Sequence, residues 1–65
     1  MVTYEFEIQN KIRTLYLDTL DLALKIAIED YRYCDGDILP LNIRMDGSVV
    51  YTRAQIIEEY RKIYK

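Results

Sequence analysis

From Val2 to Gln9 apolar and polar positions alternate without a break, with Val2, Tyr4, Phe6 and Ile8 on one face and Thr3, Glu5, Glu7 and Gln9 on the other. A period of two is the pattern of a strand with one buried face. Gln9, Asn10 and Lys11 interrupt the alternation, and the β-formers of "IRTLYLDT" resume it. This predicts a hairpin ending near Asp18, with a register that the sequence leaves open. With Leu15 and Leu17 inward, Tyr16 points out.

The period then lengthens to that of a helix. Asp18 is expected as N-cap and Asp21 at N3, where an acid complements the positive helix end, while Leu17 and Leu22 have the spacing of a hydrophobic staple. The helix is predicted through "TLDLALKIAIEDYRYC", with Asp21, Lys25, Glu29 and Arg32 three or four apart as a solvated stripe. The remainder carries two apolar stripes: Leu20, Ala23, Leu24, Ala27 and Tyr31 on one, Leu22, Ile26 and Tyr33 on the other, with Asp30 between them. A helix lying on one sheet buries one such stripe. The second is expected to meet the other helix or a partner chain, or to remain an exposed apolar patch. Asp30 needs a hydrogen-bond partner if the arc is continuous.

Gly36 suits the left-handed position that ends a helix, and Pro40 bars any continuation. "ILPLNIR" and "SVVYT" flank "MDGS", where Asp46-Gly47 signals a second hairpin because both residues tolerate positive φ. Thr52 and Gln55 form a capping box, Tyr51 and Ile56 a staple, and Ile56, Ile57, Tyr60, Ile63 and Tyr64 recur at helical spacing. Hairpin plus capped helix thus occurs twice, "LDTLDLAL" and "YTRAQIIE" standing in equivalent places about 34 residues apart as a pseudo-repeat of element logic. The expected fold is α+β, a small two-layer domain over residues 1–65 in the order ββαββα, with an antiparallel sheet covered on one face by two helices.

Composition narrows the function classes. Of 65 residues 51% are hydrophobic and 31% charged, with two glycines and one proline, which is a folding composition close to the lower size limit for a single core. Net charge is −2, so there is no electrostatic footprint for duplex DNA or an anionic membrane. One cysteine cannot close an intramolecular disulfide, the N-terminus lacks the basic and apolar regions of a signal peptide, and no apolar run reaches bilayer length. The expectation is a soluble cytoplasmic protein.

Candidate chemistry is sparse. "YRYCDGD" sets Cys34 beside Asp35, but at a helix C-terminus and without any His, which is the opposite of what lowers a thiol pKa or completes a metal site. The stretch reads as a helix stop. Glu5 with Glu7, and Glu58 with Glu59, are adjacent carboxylates on polar faces without a cleft, and Glu58 is expected to support Lys62. Gly36 and Gly47 form no phosphate loop. No catalytic residue, cofactor, metal or small-molecule substrate is expected, and the protein is not expected to be an enzyme. Tyr4, Phe6, Tyr16 and Tyr51 are candidates for stacking single-stranded RNA on an open sheet, against which stands the missing basic footprint.

Seven tyrosines are the least ordinary feature. Tyrosine joins a large apolar body to a polar tip and is enriched at protein interfaces. The function expected is therefore a non-enzymatic protein-binding module, a regulator or inhibitor of a larger protein of the size common among phage and mobile-element accessory proteins. Leu22, Ile26, Arg32 and Tyr33 are the partner-binding candidates, with Tyr16 second in rank. The alternative is a homodimer whose assembly is its function, with an RNA-binding sheet third.

Overall fold

The computed structural model describes residues 1–33 and 36–64. In chain order it contains β1 (Val2–Ile8), β2 (Lys11–Leu17), α1 (Leu20–Tyr33), β3 (Ile38–Met45), β4 (Ser48–Thr52) and α2 (Arg53–Ile63). The expected ββαββα order is present. The strands form one antiparallel sheet in the order β2-β1-β3-β4, so each hairpin contributes its first strand to the centre and its second to an edge.

Both hairpins close on pairs of left-handed residues, Gln9 (φ 51) with Asn10 (φ 62) and Asp46 (φ 51) with Gly47 (φ 87). Positive φ at both central positions gives the turn whose twist matches that of the strands it joins. The first turn sets Ile8 opposite Lys11, which carries Tyr4 to Leu15 and Val2 to Leu17. A Cβ at Gly47 would meet no atom within 4 Å, so any penalty for a side chain there is conformational. Gly47→Val is expected to cost on the order of 1 kcal/mol, because a β-branched residue is disfavoured at this φ. Superimposable urea melts of wild type and variant would refute that assignment.

Pro40 lies inside a central strand. Two features accommodate it. The β1–β3 register shifts between Glu5 and Phe6, leaving Leu41 as an extra residue, and β4 reaches only as far as the Asn42–Thr52 pair. The position therefore costs no β3–β4 ladder bond.

Cross-strand pairing places Val2, Tyr4, Phe6, Leu15, Leu17, Ile43 and Tyr51 on the helix-covered face and Thr3, Glu5, Glu7, Thr14, Tyr16, Asn42 and Arg44 on the open one. The buried core is Val2, Tyr4, Ala23, Ala27, Ile28, Ile43 and Ile56. Ala23 and Ala27 are fully buried, and their small side chains let α1 lie close to the sheet. Three of the four candidate RNA-stacking rings, Tyr4, Phe6 and Tyr51, thus lie beneath the helices, and Tyr16 alone is on the open face. Among the described residues no helix is long and apolar enough to cross a membrane.

Candidate protein-binding surface

The start of α1 corrects the expected cap. The Leu22 amide donates to Thr19 Oγ1 at 3.2 Å, which makes Thr19 the N-cap and Leu22 the N3 residue. Thr outcompetes Asp18 because helical backbone begins at Leu20, one residue later than the Asp18 cap requires. The Leu17–Leu22 staple is lost with that shift, since N′ is now Asp18 and N4 is Ala23. Leu22 stays 44% exposed. At α2 the expected capping box is present, Gln55 N donating to Thr52 Oγ1 at 3.3 Å and Thr52 N to Gln55 Oε1 at 2.9 Å.

The two apolar stripes of α1 prove to be parts of one wide arc. Ala23 and Ala27 face the core, Ile28 is buried on one side of them, and Ile26 is half-buried against the core on the other. Asp30 lies within this arc and has the partner it needs, the Tyr4 hydroxyl donating to its Oδ2 at 2.8 Å. Burial still raises the Asp30 pKa above the ordinary 3.8, with repulsion from Glu29 adding to it and the Tyr4 hydrogen bond opposing it.

The second helix does not cover Leu22, Ile26 and Tyr33. It docks on the opposite flank, where Tyr31 meets Tyr60 edge-on at 4.9 Å between ring centroids. Leu24, Ile28, Ile63 and Tyr64 floor a shallow groove of about 330 Å³ there, rimmed by Asp21, Lys25 and Glu29. Chain order explains the choice of flank: α2 follows the edge strand β4, on the far side of the sheet from β2. Of the three outcomes open to the second stripe, packing against α2 is therefore not the one found. Leu22 and Tyr33, the latter 66% exposed, stand about 20° apart on the helix wheel and roughly three turns apart along one uncovered flank.

The other partner-binding candidates are dispersed. Arg32 lies over the Tyr64 ring at 3.8 Å, a cation–π contact that ties the C-terminal ends of the two helices together, and by the ring of its neighbour Tyr33 at 4.9 Å. Ile26 serves mainly the core. Tyr16, 65% exposed, pairs with Thr3 on the open sheet face and so is not brought together with the α1 stripe.

The adjacent carboxylates are engaged singly. Glu5 accepts from Arg44 Nε at 3.0 Å across the open face. Lys62 donates to Glu59 at 2.7 Å, not to Glu58, and this bond holds its ammonium above the usual range. Cys34 and Asp35 of "YRYCDGD" lie outside the described residues. Gly36 has φ +89, in the left-handed region that suits glycine, and with Asp37 it borders a shallow depression of about 490 Å³ beside Gln9 and Asn10. No group of three metal-ligating side chains occurs among the described residues.

Sequence reasoning missed the exposed edge of β2, where Ile12 is 66% and Leu15 39% exposed. A signal was available: Lys11 and Arg13 alternate within a strand, and basic residues are common on edge strands. No protein-family model, curated protein or solved structure matches the chain.

Proposed function

We propose that the protein is a non-enzymatic protein-binding module that acts by occupying a surface on a larger protein as a regulator or inhibitor. The observation carrying this reading is the flank of α1 that α2 leaves open, where Leu22 and Tyr33 expose apolar surface beside the core-packed Ile26. Exposed aliphatic and tyrosine side chains held on a rigid helix supply contact area at little entropic cost. Charged Lys25 and Glu29 on the neighbouring positions form a polar rim, as interface anchors usually have. A reducing cytoplasmic setting belongs to the same proposal, since the single cysteine offers no intramolecular disulfide.

Capture of host proteins on immobilised wild type, Leu22→Glu and Tyr33→Ala tests it. Loss of a central apolar anchor costs about 2 kcal/mol or more of binding, roughly a 30-fold drop in affinity. Each variant is expected to keep its circular dichroism and to lose a stoichiometric partner that wild type retains. Ile26→Glu is the contrasting case, expected to destabilise the fold by placing a carboxylate against the core. A partner retained by both surface variants, or none captured by wild type, would overturn the reading.

A further inference from the structure

We infer that β2 is a self-pairing edge, and that two copies of the chain join their sheets across it, antiparallel and about a two-fold axis at Thr14. This does not depend on the α1 flank. β2 ends the sheet, pairs with β1 without a register shift, and is exposed along its length except at Leu17. The other edge, β4, is five residues long and its pairing shifts register between Ile43 and Arg44, features that blunt an edge.

Backbone parity decides which groups of β2 are free. The two-residue turn closes on the Ile8–Lys11 pair, which in such hairpins exchanges hydrogen bonds. Alternation then turns the N–H and C=O of Arg13, Leu15 and Leu17 toward β1, and those of Ile12, Thr14 and Tyr16 outward. An antiparallel copy centred on Thr14 sets Thr14 opposite Thr14 and Ile12 opposite Tyr16. Every outward group of these residues finds a partner. The same register keeps the open faces of both sheets on one side, which a one-residue slip would not.

Side chains agree with the backbone. On the open face the register joins a β-branched residue to an aromatic one twice and threonine to threonine once, all favourable cross-strand pairs. Lys11 and Arg13 fall opposite Leu17 and Leu15 of the partner copy, so no like charges are directly opposed. Parallel, in-register stacking would set Lys11 on Lys11 and Arg13 on Arg13. The charges thus select the closed two-fold dimer over an open fibre.

Sedimentation of the full chain from micromolar to near-millimolar concentration tests this. Wild type is expected to move from 7.8 kDa to twice that mass. Thr14→Pro removes an outward N–H at an edge position where proline is tolerated, and Ile12→Lys places a charge opposite Tyr16. Each should weaken dimerisation at least tenfold with unchanged circular dichroism. If Thr14→Pro fails to fold, Ile12→Lys decides. For the register, Thr14→Cys in a Cys34→Ser background should oxidise to a covalent dimer, since directly opposed residues have Cα atoms about 5.5 Å apart, within disulfide range. A wild type that stays at 7.8 kDa, or a dimer that survives Ile12→Lys, would overturn the inference. So would a dimer lost on Leu22→Glu, because that assigns self-association to the α1 flank. Retention of the dimer in Leu22→Glu supports it whether or not a foreign partner is captured.

Discussion

Ile43→Ala is expected to remove about 2–5 kcal/mol of stability, the range for a fully buried aliphatic side chain truncated to alanine. Ile43 has no exposed surface and sits in a central strand, directly opposite Tyr4 of β1 on one side and Tyr51 of β4 on the other. Its side chain points at the helices, so truncation opens a cavity where both hairpins and the helical layer meet. Rigid β pairing on two sides limits collapse into that cavity, which favours the upper part of the range. A domain of this length has about 3–10 kcal/mol in total. The variant should therefore be largely unfolded or melt at much lower urea than wild type. A loss under about 1 kcal/mol in urea titration would show that the core is not centred on this residue.

Tyr4→Phe is expected to cost about 1.5–3 kcal/mol at neutral pH, the scale of a hydrogen bond to a charged group. The lower end is favoured, because Asp30 is half-buried and partly rehydrates. The ring itself stays fully buried in the variant, so the change isolates the hydroxyl that Asp30 accepts from.

The pH dependence has a defined sign. Asp30 has a folded-state pKa above the ordinary carboxyl value of 3.8, so the folded protein binds this proton more tightly than the unfolded chain does. Its contribution to stability therefore declines as pH rises from that ordinary value through the raised folded one, and is a constant penalty above. Asp30→Asn should abolish this component, leaving a wild-type-minus-variant difference that is flat at neutral pH and moves toward wild type on acidification. Tyr4→Phe removes a hydrogen bond that lowers the Asp30 pKa. Its cost should shrink as Asp30 is protonated. A Tyr4→Phe cost that is the same at neutral and acid pH would contradict the role assigned to the pair.

The local elements of this protein were legible in its sequence because their causes lie within a few residues. Alternation from Val2 to Gln9 is set by the pleat, the Asp46-Gly47 turn by tolerance of positive φ, and the Thr52–Gln55 box by reciprocal bonds across one turn. One local error, Asp18 for Thr19 as N-cap, arose because both residues can cap a helix and the slightly stronger preference for Asp does not state at which residue helical backbone begins. What the sequence could not decide are choices among distant segments that satisfy the same alternation equally well. That β1 pairs with β3, leaving β2 at an edge with Ile12 and Leu15 exposed, follows from non-local strand pairing. Two further outcomes depend on where each helix lands on the sheet: α2 covers the Ile28 flank of α1 and leaves Leu22 and Tyr33 open, and Asp30 reaches the Tyr4 hydroxyl across the core. Periodicity states how wide an apolar face is, and only tertiary packing states what covers it.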